Sequence, residues 1–325
     1  MNKFFATLLA IFAVTTVNAQ ETSNQSTVKA SDVAPAEKPQ EDIDAEITNK
    51  KLRAELGSKS KWSIKTAFSY SGASIERPFQ QIRPNYRAGA EVPALTSISG
   101  SVGVKYAITN RDSLSLGTGL SVINPFHGDM TRGEFEDPRF RGQNRDRFEV
   151  STPSLSYTRA YKVGEMQMIS DVSYSHYTDS ESVRGMNGVG SVGVGQTILA
   201  DLGTSSWSAG VSFLASKAIW KGAVAPEFAA EGARQMDYVY GLFPFAEYTF
   251  NDNFSFRTVF GYFQNVKYRG VGADGSVTSL APYQSVGLGM SVSRDIYLYP
   301  NVQFTPLDMR ADRTNIGLSA NLNMF

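Results

Sequence analysis

The sequence predicts an all-β protein, a closed antiparallel transmembrane β-barrel of about twelve strands with a short N-terminal helix. Segments in which apolar and polar residues alternate with a period of two recur from Lys61 to the last residue. The connections alternate between short and long, and no apolar run after residue 19 is as long as a membrane-spanning helix. Strands in lipid satisfy all their backbone hydrogen bonds only in a closed sheet, so this pattern indicates a barrel.

The first 19 residues, 1–19, have the organisation of a secretory signal peptide. Lys3 supplies the positive charge, residues 4–14 form the apolar region, and Ala19 ends a small-residue cleavage site before Gln20. An uncleaved membrane anchor is the alternative, but the apolar stretch is too short for one. Because Gln20 follows the expected cleavage site, where a lipoprotein would need cysteine, no lipoprotein is predicted.

The next two stretches, 20–40 and 41–57, differ in composition and are predicted to differ in structure. The first is polar, contains proline and lacks aromatic residues, so we expect a disordered periplasmic leader. The second begins with acidic residues, continues with basic ones and reaches Gly57, which is the charge order and terminator of a helix. Its apolar stripe is thin, so a polar lumen is its expected location, where it could narrow a pore. A helix free in the periplasm is the alternative.

Residues 58–325 are predicted to form the barrel. In one segment, for example, Val102 and Val104 alternate with Ser101 and Gly103. Strands are predicted near 61–71, 95–108, 113–122, 148–161, 166–177, 189–201, 206–217, 238–250, 254–264, 280–294, 296–304 and 313–325.

The strand count is even, and both chain ends fall on the side of the short turns, as in a bacterial outer-membrane barrel. A soluble β-sandwich also alternates, but its polar face meets bulk water and should carry many charges. Here that face holds mainly Ser, Gly, Thr and Asn, which favours a confined lumen. Aromatic residues near strand ends, such as Trp62, Tyr106 and Trp207, indicate girdles at the membrane interfaces.

The signal peptide, the alternating chain and the terminal Phe325 together resemble Gram-negative outer-membrane proteins as a class. In that class a C-terminal aromatic residue helps the barrel-assembly machinery to recognise the last strand, so the resemblance implies this machinery as a partner. The pattern departs from the class in one respect. The last apolar series ends at Met324, and Phe325 is in phase with Asn321 and Asn323.

Composition excludes several classes of chemistry. The chain has no cysteine, hence no disulfide, thiol nucleophile or Cys-ligated metal. Removing Lys3 from 31 basic residues leaves 30, against 31 acidic residues, so charge gives no argument for nucleic acid as a partner. No P-loop, dinucleotide fingerprint or zinc motif is present, and neither a cofactor nor a catalytic residue is predicted.

Charged residues are few on the predicted lumen face. They are Lys65, Lys105, Asp171, Glu247 and Arg257. If Phe250 pairs with Phe254 across the intervening turn, Glu247 lies directly opposite Arg257. Such a pair inside a lumen could set the selectivity of a pore. It could equally be a structural brace near the periplasmic mouth.

A long loop, 123–147, carries further acidic residues. Asp129, Glu134, Glu136 and Asp137 could offer carboxylate oxygens to a hard cation. They lack ordered ligand spacing, so we predict a solvated surface loop and no metal site.

Of the two histidines, His176 ends a strand on the lipid-facing side, close to Ser180 and Ser182. A hydrolase would need a base and an orienting group within hydrogen-bond reach of a nucleophile, which the sequence alone does not show. An interfacial polar histidine is the expected interpretation.

The leading functional hypothesis is a porin-like outer-membrane channel for passive diffusion of small hydrophilic solutes. It rests on the small lumen-facing side chains, which leave room for water. A closed structural or surface-recognition barrel, with long loops that meet partners, is the alternative, and an outer-membrane hydrolase is a third. The expected partners are outer-membrane lipids, the assembly machinery and small solutes.

Overall fold

The computed structural model describes residues 42–84, 94–127, 148–179, 181–230, 234–269 and 277–325. The predicted signal peptide and disordered leader therefore lie outside the described residues, as does the acidic loop with Asp129, Glu134, Glu136 and Asp137.

Two short helices precede the barrel, α1 (Ile43–Glu46) and α2 (Lys50–Leu56). The sequence predicted one helix here. The chain is extended between the two because Asn49 is the N-cap of α2, and its side-chain oxygen accepts a hydrogen bond from the backbone N–H of Leu52 at 3.1 Å. Asp42 caps α1 in the same way.

Sixteen strands lie in the described residues. They are β1 (Trp62–Ser74), β2 (Ile82–Arg83), β3 (Ala94–Leu95), β4 (Ser97–Ala107), β5 (Asp112–Ile123), β6 (Phe148–Val163), β7 (Met166–His176), β8 (Gly188–Asp201), β9 (Trp207–Trp220), β10 (Gln235–Thr249), β11 (Phe254–Gly261), β12 (Phe263–Arg269), β13 (Val277–Ser279), β14 (Tyr283–Ser293), β15 (Ile296–Phe304) and β16 (Asn315–Met324). A third helix, α3 (Pro226–Ala230), lies in the β9–β10 loop.

The strands close into one antiparallel barrel with twelve positions, which confirms the predicted class and count. The sheet runs β14-β15-β16-β1-β4-β5-β6-β7-β8-β9-β10, and β11 closes it by pairing with both β10 and β14. β11 and β12 share one position because the ninth predicted strand, near 254–264, is interrupted at Tyr262. β2 and β3 form a separate small sheet in the first long loop.

The outer face is apolar, as the alternation predicts for a wall that meets lipid. Leu116 and Val104 are exposed there, at 63% and 49% of their surface. Aromatic side chains pack in pairs near strand ends: the rings of Trp62 and Tyr106 lie 4.7 Å apart between centroids, and that of Trp207 lies 5.1 Å from that of Tyr248. These pairs match the interface girdles of membrane barrels.

The end of the last strand explains the unusual phase of the C-terminus. Asn323 points inward and is buried, whereas Met324 points outward and Phe325 lies beyond the strand with a φ of 80°. Asn323 donates a hydrogen bond from Nδ2 to the backbone oxygen of Ala54 in α2 at 2.8 Å. The inward phase is therefore occupied by a residue that binds the segment before the barrel.

Among the described residues, no helix is both long and apolar enough to cross a membrane.

Candidate functional site

The candidate site is the end of the barrel lumen where the short turns lie, which is the periplasmic end in this class. Residues 42–60, here called the inner segment, lie across it. Their side chains and backbone meet residues from many positions around the ring: Lys105 in β4, Arg111 before β5, Gln167 in β7, Glu247 in β10, Tyr297 in β15 and Asn323 in β16. The segment therefore spans the opening.

An apolar patch of the lumen wall receives the inner segment. Ile43, Ile47, Leu52 and Leu56 form one buried cluster with wall residues Ala160, Ile169, Leu199 and Phe245. Each of these wall residues is on the lumen face of its strand, and Leu199 is 0% exposed. Burial of this apolar surface stabilises the docked segment, at roughly 25 cal/mol per Å² removed from water.

The segment lies in the lumen, as predicted, but the part of the wall that receives it is apolar, whereas a polar lumen was expected. A second contact is apolar as well: Ala54 packs against Tyr297 and Tyr299 of β15. An amphipathic helical segment of this length is only marginally stable in water by itself. The apolar patch of the wall stabilises it by burying its apolar side chains.

Polar contacts fix the middle of the inner segment. The backbone N–H of Asn49 donates to Oε1 of Gln167 at 3.0 Å, and Gln167 donates from Nε2 to the hydroxyl of Thr48 at 2.8 Å. Gln167 is 2% exposed, so this exchange satisfies a buried amide.

Glu247 and Arg257 are direct cross-strand partners of β10 and β11. Arg257 donates from Nη1 to Oε2 of Glu247 at 2.8 Å, and the side chains are 4% and 3% exposed. The guanidinium also lies 4.2 Å from the ring centroid of Phe245, and Asn49 donates from Nδ2 to Glu247 at 3.2 Å. The pair is thus buried and contacts the inner segment through Asn49.

The other three charged positions lie at different levels of the lumen. Lys105 is 6% exposed and donates to the backbone oxygen of Ser58 in the inner segment. Lys65 and Asp171 are only half-buried. The carboxylate of Asp171 lies against Gly195 of β8, where a Cβ would collide with it. The structure therefore joins Glu247 with Arg257, and it leaves Lys65 and Asp171 half-buried on the lumen face.

At the rim, Arg294 in the β14–β15 turn binds both ends of the inner segment. It donates from Nε and Nη2 to the two carboxylate oxygens of Asp44, at 2.9 and 3.1 Å, and from Nη1 to the backbone oxygen of Gly57 at 2.8 Å. Lys59 lies 2.9 Å from the same carboxylate. Burial by itself would raise the pKa of Asp44. The hydrogen bonds from Arg294 and Lys59 outweigh this effect and hold the pKa of Asp44 below its usual value.

A cleft of about 100 Å³ remains beside the inner segment. It is bounded on one side by Thr48, Asn49 and Lys50, and on the other by polar residues of the wall such as Asp201 and Ser208. Lys50 lies 3.8 Å from Asp252 at its margin. Glu247, Phe254 and Tyr297 also line the cleft.

His176 has an interfacial partner: its Nδ1 lies 3.2 Å from the hydroxyl of Tyr174, and Ser182 binds Asp179 through its backbone N–H. In the part of the chain that the structure describes, no group of three or more His, Cys, Asp or Glu side chains could hold a metal ion.

Sequence reasoning missed three features of the site: Arg294, Gln167 and the apolar patch. Phe243 and Phe245 carried a signal, because they are in phase with Glu247 and therefore face the lumen with it. Arg294 carried none, since an arginine in a short turn is ordinarily solvated.

No protein-family model matches this chain, and no curated protein matches it. Among solved structures it is similar to the COG4313 outer membrane channel from Pseudomonas putida F1, with 14% identity and a TM-score of 0.50 over 82% of this chain and 97% of that one. It is less similar to the NanC porin, with 11% identity and a TM-score of 0.39 over 81% and 98%. OmpF from Salmonella typhi in complex with daunomycin has 10% identity and a TM-score of 0.35 over 81% and 97%.

At 14% identity the first likeness bears on the fold alone. The closed twelve-stranded sheet, the apolar outer face and the aromatic girdles define an integral β-barrel of the outer membrane.

Proposed function

We propose that the protein is a porin-like channel for passive diffusion of small hydrophilic solutes, narrowed at its periplasmic mouth by the inner segment. One observation carries the proposal, the change in exposure along the lumen face of single strands. In β4, Ser99 and Ser101 are exposed, Gly103 is half-buried, and Lys105 is buried under the inner segment. The wall is therefore open to solvent above the segment and closed at its level.

The solute class follows from the wall that remains accessible. Ser99, Ser101 and Ser173 present small polar side chains, which bind water and project little into the lumen. Lys65 and Asp171 add one charge of each sign, so neither anions nor cations are strongly favoured. Small neutral or zwitterionic hydrophilic solutes suit this lining.

The charged residues divide into two roles under this proposal. Lys65 and Asp171 stay accessible to a passing solute and are the candidates for selectivity. Glu247 and Arg257 are almost completely buried and neutralise one another, which favours a brace that supports Asn49. Lys105 acts with them as an anchor of the inner segment.

Planar-bilayer conductance of the purified mature chain tests the channel. Discrete single-channel steps are expected, with similar passage of small cations and anions. The reversal potential under a salt gradient measures the ion preference. Asp171→Asn should make the channel more selective for anions and Lys65→Gln more selective for cations, whereas Ser173→Ala should leave the reversal potential unchanged. A folded barrel that shows no conductance would contradict the proposal.

A closed recognition barrel is the second candidate, and two observations favour it. The inner segment covers the mouth, and two long loops pack together at the other end. Gln235 is 0% exposed and donates from Nε2 to the backbone oxygens of Met186 and Gly222 at 2.6 and 2.9 Å. Absence of conductance from both the mature chain and a chain without the inner segment would favour this candidate.

A further inference from the structure

Arg294 joins three parts of the molecule at one point of the rim. Its guanidinium forms a two-pronged pair with Asp44, near the beginning of the inner segment, and it binds the backbone oxygen of Gly57, near the end. A third contact, to Asp295 at 2.7 Å, holds the guanidinium on its own turn. Two parallel charge-assisted hydrogen bonds fix orientation as well as distance.

The inner segment is organised as one folded unit. Arg53 in α2 donates to the backbone oxygens of Asp44 and Ile47, which are the free carbonyl groups at the end of α1. Apolar residues from both helices lie in a single buried cluster. Lys59, beyond α2, binds Asp42 at 2.7 Å, which closes the segment on itself. Its two helices therefore hold one another as well as the wall.

The unit is joined to β1 through a position whose backbone conformation only glycine adopts readily. Gly57 has φ 83° and ψ 178°, a backbone conformation that side-chain-bearing residues avoid. Ser58, which follows it, is bound to the wall through Lys105. The contacts of the wall with α2 itself include one hydrogen bond from Asn323 to a backbone oxygen.

We propose that the inner segment is a latched gate, in which α1 and α2 swing out of the mouth together about Gly57 and Arg294 is the latch. The proposal rests on the proposed channel function for its purpose. Arg294 is suited to the role because it binds the tip of the unit, at Asp44, and the pivot, at Gly57, so that its loss removes one restraint from each at once.

Thiol labelling can follow the opening, because the natural chain has no cysteine. Ile47→Cys reports on α1 and Ala54→Cys reports on α2, since the two native side chains are 0% and 1% exposed. Each is placed in the mature chain with Arg294 intact, with Arg294→Ala, and with Asp44→Asn. The last variant breaks the latch from the side of the segment and leaves the wall unchanged.

Arg159→Ala is the matched control. Arg159 pairs with Asp112 at 3.3 Å at the same end of the barrel, but it is in phase with the lipid-facing Tyr157. The readout is the rate of reaction with a water-soluble maleimide in the folded, heat-modifiable barrel. The labelling rate does not depend on conductance. A barrel that never conducts would contradict the proposed channel function, and the labelling rates would still test the latched gate.

Both latch variants are expected to raise the labelling rate at the two positions together, by about tenfold or more, because local opening becomes more frequent. The control should change neither rate. An increase at position 47 alone would overturn the proposal, since α1 would then unwind by itself. Unchanged rates at both positions in both latch variants would overturn it as well, since Arg294 would not restrain the segment.

Discussion

The two ends of the lumen are lined by different kinds of surface, although the same strands form both. In β7, Gln167 and Ile169 at the lower end are 2% and 7% exposed, whereas Asp171 and Ser173, further up the same face, are only half-buried. The lower end is packed as a protein interior is packed, with apolar contacts and satisfied amides. The upper end carries polar and charged side chains that are only partly buried.

This difference between the two ends indicates that the inner segment is part of the fold of the barrel. Without it, Ile169, Leu199 and Phe245 would face water on the lumen side at considerable cost. The apolar patch of the wall therefore requires the inner segment to cover it, and the inner segment marks where the packed end of the lumen begins.

Glu247→Gln should have the largest effect on the packed end. It leaves the buried Arg257 without its counter-charge, which costs ~3–5 kcal/mol for a buried pair. It also weakens the contact with Asn49. Urea unfolding of the barrel in detergent would measure the loss.

The double variant Glu247→Gln with Arg257→Met should recover most of that stability, because no buried charge is left unpaired. Equal losses in the single and double variants would mean that the pair does not act as a brace.

Phe245→Ala tests the apolar patch. Phe245 is 3% exposed and is shared between the inner segment and Arg257, so its removal should cost about 3 kcal/mol, towards the lower end for a buried aromatic residue. The displaced segment should raise the single-channel current. Phe243→Ala is the control, because Phe243 packs against Tyr283 instead. If both variants changed the current equally, the patch would have no particular relation to the segment.

Leu116→Arg tests the two faces of the wall. A lipid-facing arginine near the midplane costs ~2–4 kcal/mol in such barrels, and Leu116 is 63% exposed on the outer side. Its lumen-facing neighbour gives the control, since Ser115→Arg should fold better. The yield of heat-modifiable barrel measures both, and equal yields would show that the faces are wrongly assigned.

The barrel could be predicted almost completely from the sequence, and the site only in part. Period-two alternation reports the two faces of a strand directly, and the alternation of turn and loop lengths gave the correct number of barrel positions. The register between Glu247 and Arg257 followed from one turn. The contacts of Arg294 and Gln167 with the inner segment join residues more than 100 positions apart, and local pattern carries no information about such pairs.

The smallest expected effect is that of pH on the rim. The pKa of Asp44 is lowered in the folded protein, so its contribution to stability is complete above the ordinary aspartate range and is lost only as pH falls through the lowered value. Labelling of Ile47→Cys, corrected for thiol ionisation, should therefore be constant from neutral to mildly acidic pH. An increase in that range would contradict the assignment of Asp44 to Arg294.

Conductance of the mature chain, compared with that of a chain starting at Ser58, tests the central claim most directly. Both are inserted into the same planar bilayers after each is shown to be a folded, heat-modifiable barrel. The shortened chain should give larger single-channel currents, because both helices of the segment that spans the mouth are gone. Equal currents from the two folded barrels would contradict the account and would leave residues 42–57 as a structural support that does not limit the channel.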